Sequence, residues 1–285
     1  MGMVIALGMT LIAWWRWSEA VGSHDAGAGD SVEYRAGRAA PRPFCWRWGL
    51  TVVARWGAEA WMALTAGWLT VSGPIIWLWL RQRGCSELGA FVGVWLWICL
   101  PSVWERSARI VHLPEGVVIP LCLLSAEMLN LPEVGWWVGI ALALIAGTLR
   151  ETSGVWIALY AGSPWGLVGL LTVPWWRRGG APTRNHHLFD HPWRLFGRER
   201  LRRGFAVRPY LTCWGAAAPG LLTLNPWVWG AVAFAAWPLL RSVDTARLLA
   251  YAWPLVMASA VGGADERLLL ALAVLAPLGA FFWDA

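Results

Sequence analysis

The chain has 285 residues, of which 58% are hydrophobic and only 14% charged, with a formal net charge of +6. Soluble globular domains usually carry about 25% charged residues, so the composition excludes an ordinary soluble enzyme and points to a polytopic membrane protein. All 23 basic residues are arginine, which excludes a Schiff-base lysine, a catalytic lysine and a Walker-type phosphate loop.

In chain order, residues 3–15 form the first apolar run. The run is short for a span and no positive charge precedes it. It reads either as a tilted transmembrane helix extended by Trp17 or as a cleaved signal peptide with Ala26-Gly27-Ala28 as a weak cleavage site. Residues 16–55 are a polar, arginine-rich loop that carries Asp25, Asp30 and Glu33. After residue 48, residues 49–59 hold Arg55 and Glu59 four apart, the spacing of an interfacial helical turn. Residues 60–80 are a clean apolar span stopped by Arg81-Gln82-Arg83. Residues 88–104 are another, stopped by Glu105-Arg106. A polar connection at 105–116 contains His112 and Glu115. The short runs 117–131 and 134–149 join through Pro132, as two thin spans or one re-entrant hairpin. Arg150-Glu151 breaks the apolar pattern before a further span at 154–176.

A basic loop follows at 177–209, and then apolar runs at 210–224, 226–240, 248–262 and 268–283. The expected fold is therefore all-α: one integral membrane domain over residues 1–285, a helical bundle of about ten spans by hydropathy, with eight to ten plausible. No convincing internal repeat is visible. Trp14, Trp15, Trp17, Trp104, Trp175, Trp176 and Trp283 lie at ends of apolar runs, where indole rings favour the membrane interface. Cys45, Cys85, Cys99, Cys122 and Cys213 form no C-x-x-C pair and indicate neither a disulfide framework nor a zinc knuckle.

Arginine placement sets the expected orientation. With the N-terminus inside, cytoplasmic loops hold 13 arginines and the opposite side ten. Nine of the 13 crowd into residues 177–208, a block that anionic inner-leaflet lipid attracts. The 16–55 loop then faces outward. The setting expected is a multi-pass position in a bacterial inner membrane, with membrane lipids and other membrane proteins as partners and no nucleic acid. No cofactor is indicated. His187 and His191, with Asp190, have a spacing that would suit a metal on a helix, but they lack an H-E-x-x-H pattern or a cysteine partner, and nine arginines surround them.

The outward loop carries Asp30-x-x-x-Tyr34 and then Pro41-Arg42-Pro43-Phe44-Cys45-Trp46-Arg47. Further on come Arg150-Glu151-Thr152 and Asp244-x-x-Arg247 with Pro254 beyond. Together these short, degenerate motifs resemble those of bacterial integral-membrane glycosyltransferases of the GT-C superfamily, spread over most of the chain. The chain is shorter than most of that superfamily and carries no sizeable C-terminal acceptor domain, which suggests a reduced relative. The resemblance implies transfer of a sugar from a polyprenyl-phosphate donor to an acceptor. It also implies a first-loop aspartate as general base, Asp30 or alternatively Asp25.

A carboxylate near a bilayer has its charged form disfavoured, which raises its pKa toward a range useful for base catalysis. Arg42 and Arg47 are placed to hold the lipid phosphate. Arg150, Glu151, Asp244 and Arg247 complete the expected substrate-binding set. Each has an ordinary alternative: Asp30 as a solvated loop residue, Arg47 as a snorkelling arginine, Arg150-Glu151 as a structural pair and Asp244 as a helix cap. A non-enzymatic transporter or structural subunit is the competing function.

Overall fold

The computed structural model describes residues 1–18, 34–40, 44–100, 103–104, 107, 114–177, 215–223, 225–236 and 249–277. Among these the chain is helical, with no strand, as the apolar pattern requires. The helices are α1 (Gly2–Ser18), α2 (Trp48–Arg55), α3 (Ala58–Gln82), α4 (Glu87–Ile98), α5 (Glu115–Leu129), α6 (Val134–Leu149), α7 (Ser153–Ala161), α8 (Pro226–Ala236), α9 (Trp253–Gly262) and α10 (Glu266–Leu275). Two nine-residue 3-10 helices, Pro164–Thr172 and Gly215–Thr223, complete the main elements.

The chain packs as two compact units, one of residues 1–16, 70–105 and 187–285, the other of residues 17–69 and 106–186. In the first unit, α1 lies on the C-terminal half of α3. Pro74 inside α3 has no amide hydrogen, so the Thr70 carbonyl four residues earlier loses its helical donor. The Thr10 hydroxyl of α1 donates to that carbonyl. Gly73 permits the approach, because a Cβ there would sit 2.5 Å from the Ala6 carbonyl oxygen. The same unit buries Trp97 against Trp253, with ring centroids 5.4 Å apart, and the Trp97 indole donates to Ser72 Oγ at 2.7 Å. Ser86 and Asp265 cap α4 and α10 by accepting from Gly89 and Leu268 amides, the local preference of short oxygen side chains at helix starts.

In the second unit α5 is the central helix, buried along nearly its whole length. It packs against α6, α7 and the 3-10 helix Pro164–Thr172 through small residues. A Cβ on Gly139 would meet the Leu129 amide nitrogen at 2.6 Å, and one on Gly147 would meet the Gly169 carbonyl oxygen at 1.9 Å. Ser125 Oγ donates to the Gly139 carbonyl at 2.8 Å, tying α5 to α6.

Several expected spans differ in length or form. Only α3, among the described residues, is long and apolar enough to cross a membrane; at 25 residues it is about 37 Å long. The span expected at 88–104 is helical as α4 for 12 residues and ends at Cys99. The span expected at 154–176 is a helical hairpin. Gly162, left-handed at φ +64°, closes α7, and Ser163-Pro164 starts the 3-10 helix. Gly166 then packs back on α7, where its Cβ would lie 2.3 Å from the Ala158 amide nitrogen. Hydropathy alone could not see this turn because Gly162, Ser163 and Pro164 barely lower the mean. The turn expected at 49–59 is helical as α2 only as far as Arg55, and Glu59, expected on the same turn, lies in the first turn of α3.

The Gly147 contact yields a test. Gly147→Val should lower stability by about 1–3 kcal/mol through overpacking against backbone that cannot move aside. Thermal unfolding followed by circular dichroism would show it, and Ile145→Val, at an exposed position of the same helix, serves as the comparison.

Candidate functional site

The second unit contains a buried network of ion pairs built from residues far apart in sequence. Arg47 ends the segment before α2 and is 4% exposed. Its Nε donates to Glu151 Oε2 at 2.6 Å and its Nη2 to Glu151 Oε1 at 2.9 Å. This is the two-pronged geometry in which a planar guanidinium matches a carboxylate. Its Nη1 donates to the Tyr34 hydroxyl at 2.8 Å. The Phe44 ring lies 5.6 Å from the guanidinium carbon and packs edge-on against Tyr34 at 5.3 Å.

The backbone explains why Glu151 points here. Arg150 is extended at the end of α6, and the turn that follows leads into α7. Adjacent residues in such a segment face different ways. Arg150 reaches Glu115 in the first turn of α5, Nη1 to Oε1 at 3.1 Å, while Glu151 reaches Arg47. Ser153 Oγ closes the turn by donating to the Arg150 carbonyl at 2.8 Å. The backbone beside Glu115 is drawn in closely, because a Cβ on Gly116 would lie 2.6 Å from Ser107 Oγ. The four charges cancel in pairs, which is the condition for burying them at all.

The segment holding Arg47 is fixed on its other side too. The Trp46 indole donates to the Arg177 carbonyl at 2.9 Å, and the Trp48 indole to the Thr172 carbonyl at 3.0 Å. Trp46 packs edge-on against Trp175 at 4.9 Å. Gly49 brings α2 onto α6, with a Cβ position 2.2 Å from Thr148 Oγ1.

The electrostatics follow from this geometry. Burial by itself would push the Glu151 carboxyl up; the Arg47 charge and hydrogen bonds, with the charge of Arg150, outweigh burial and hold it at about 2. Burial by itself would lower Arg47, and Glu151 with Tyr34 instead raises it well above its ordinary value. Glu151 therefore stays ionised at neutral pH and is a poor general base there. As it stands, the network positions the 34–48 segment; Arg47 spends three nitrogens on internal partners.

Of the residues singled out from sequence, Arg47, Arg150 and Glu151 are brought together. Asp25, Asp30, Arg42, Asp244 and Arg247 lie outside the described residues, as do Glu33, His187, Asp190 and His191. Glu115 was legible only as part of a polar connection, and Tyr34 only as the second member of D-x-x-x-Y; both join the network. Glu127, also fully buried on α5, was missed. The signal for it was present, a carboxylate within the apolar run 117–131. It stands 12 residues from Glu115, about 18 Å along the helix.

Two predictions follow from the pair. Glu151→Ala leaves the buried Arg47 charge without its carboxylate and should cost about 3–5 kcal/mol, whereas the double change with Arg47→Met should recover much of that loss. Denaturant unfolding of the four proteins of that cycle measures the coupling. For pH, the folded-state value of Glu151 lies below its ordinary 4.5, so the unfolded chain binds the extra proton and stability rises with pH. The contribution of the pair is complete above about 4.5 and is lost as pH falls toward about 2. Acid titration of folding should show this loss in the wild type and lack it in Glu151→Gln.

No family model matches the chain, and no curated protein or solved structure is similar to it.

Proposed function

We propose that the chain is a membrane glycosyltransferase-like enzyme of the GT-C type, a polytopic bundle that transfers a sugar from a polyprenyl-phosphate donor to an acceptor hydroxyl at the surface of a bacterial inner membrane. One observation carries the reading. Three of the motifs behind the resemblance meet in one network: Tyr34 of D-x-x-x-Y, Arg47 of P-x-P-F-x-aromatic-R and Glu151 of R-E-T.

On this reading Asp30 is the general base, with Asp25 as its alternative. Tyr34 follows Asp30 by four residues, a stretch of at most about 14 Å. Arg47 is committed to Glu151, so on this reading the donor phosphate falls to Arg42, five residues earlier. Guanidinium pairing with the phosphate stabilises the leaving group as the glycosidic bond breaks.

A membrane setting draws support from the distribution of polarity. The outward residues of α6 include Val134, Trp137, Val138 and Ile145, and those of α1 include Val4, Ile5, Leu11, Ile12 and Trp15. Meanwhile Arg47, Arg150, Glu115, Glu127 and Glu151 are buried. An aqueous protein favours the reverse arrangement, and inward-facing, paired charges are the rule for helices in lipid.

A second reading, a non-enzymatic membrane protein such as a transporter or structural subunit, is favoured by a different fact: Arg47 and Glu151 satisfy each other, as a purely structural pair would. Sugar transfer from polyprenyl-phosphate donors separates the two. Asp30→Asn should reduce transfer by about 100-fold or more, the usual effect of losing a general base, with the fold unchanged by circular dichroism. Equal rates would remove Asp30 from the mechanism, and no transfer by the wild type would favour the second reading.

A further inference from the structure

The two nine-residue 3-10 helices share a feature that the apolar pattern hides. Both end in the same four residues, Gly169-Leu170-Leu171-Thr172 and Gly220-Leu221-Leu222-Thr223, and each is followed within a few positions by Pro-Trp, Pro174-Trp175 and Pro226-Trp227. The sequence looked free of repeats because the likeness spans so few residues.

The local structures match as well as the letters. A 3-10 helix repeats every three residues, so Gly166, Gly169 and Thr172 share one stripe, and Ala217, Gly220 and Thr223 share the other. Each stripe lies on an α-helix of its own unit. A Cβ on Gly169 would lie 2.7 Å from the Ala143 carbonyl oxygen of α6, and one on Gly220 would lie 2.0 Å from the Val256 carbonyl oxygen of α9. The threonines behave alike. Thr172 Oγ1 donates to the Gly169 carbonyl at 2.9 Å and Thr223 Oγ1 to the Gly220 carbonyl at 2.8 Å. Each also reaches the helix beneath, Thr172 to the Leu144 carbonyl and Thr223 to the Ser259 hydroxyl.

With the glycine stripe turned inward, the leucine before the threonine is turned out. Leu171 is 77% exposed and Leu222 is 81% exposed. Trp175, Trp176, Trp227 and Trp229 are exposed after them. No charged residue occurs in the sequence from 152 to 176 or from 209 to 240. Indole, with an apolar body and one N–H, suits the border between hydrocarbon and water.

Recurrence of the same leucine-over-indole arrangement in two separately packed units favours a uniform partner over a single shaped protein surface.

We propose that these two elements are a matched pair of lipid contacts, in which Leu171 and Leu222 lie against phospholipid acyl chains and the following tryptophans sit at the acyl–headgroup boundary. The pair rests on the membrane reading given above and names the residues that meet the lipid. The glycine–threonine stripe is the device that presents the leucine: it clamps a thin 3-10 helix onto its neighbour so that a large apolar side chain is fixed outward.

The full chain in nanodiscs of phosphatidylethanolamine and phosphatidylglycerol provides the test. A p-benzoyl-phenylalanine photoprobe is placed at position 171 or at position 222, and adducts are identified by mass spectrometry. Acyl-chain adducts at both positions are expected. Adducts to a second protein chain, adducts at one position only, or no lipid adduct at either would overturn the pairing. Hydroxyl-radical footprinting of the unsubstituted protein in the same nanodiscs covers the case in which the probe impairs folding: Leu171 and Leu222 should resist oxidation, and ready oxidation of either would overturn the proposal. Carbonate extraction separates the two readings. A chain that stays in the membrane pellet while Leu171 and Leu222 react with water refutes the lipid pair alone; a chain that is released refutes the membrane reading with it.

Discussion

The bidentate pair between Arg47 and Glu151 is the constraint on which the second unit depends. Both groups are removed from water, and neither charge could remain there without the other. The pair therefore fixes more than two side chains. Through Tyr34 and Phe44 it holds the end of the 16–55 loop. Through the Arg150-Glu151 step it sets how α6 hands over to α7, and through Arg150 and Glu115 it fixes the start of α5. Three helical elements and one loop meet at these four paired charges.

Close backbone packing makes that geometry reachable. Gly49 lets α2 approach α6 near Thr148, just before Arg150, and Gly116 lets the 107 segment approach beside Glu115. A side chain at either position would push apart the backbones that carry the ion pairs. Gly147, Gly166 and Gly169 play the same part for the hairpin of α7 and the following 3-10 helix. This style of packing relies on dispersion and short backbone contacts, and it works where no hydrophobic drive between helices is available. It fits the lipid setting proposed for the chain, in which apolar side chains gain little by turning inward and the interior can be given to polar groups.

The division of roles within the resemblance motifs also becomes clearer. Read as a sequence, Arg47 was a phosphate ligand or a snorkelling arginine. With its guanidinium held by Glu151 and Tyr34, it is a positioning residue for Tyr34 and the 44–48 segment. Glu151 is held ionised near a pKa of about 2, which removes it from base catalysis and leaves that role to the first-loop aspartates on the proposed mechanism. Tyr34, a spacing marker in the sequence, is a hydrogen-bond partner of Arg47.

The sequence by itself determined the all-α class, the positions of most apolar helices and the residues worth watching. These are local properties: hydropathy and charge runs act over a few turns of chain, and α3 emerged almost where the apolar run lay. It also marked Arg150-Glu151 as unusual, since charges in an apolar stretch stand out without any partner being known. What only the tertiary structure decided was pairing and direction. Arg47 and Glu151 are 104 positions apart, and no periodicity links them. Adjacent residues 150 and 151 choose opposite partners because of one extended backbone step. The hairpin at Gly162 and the twin 3-10 helices were hidden for a related reason: hydropathy averages over residues, whereas glycine acts through the side chain it lacks, and the consequence appears only when another backbone arrives to fill the space.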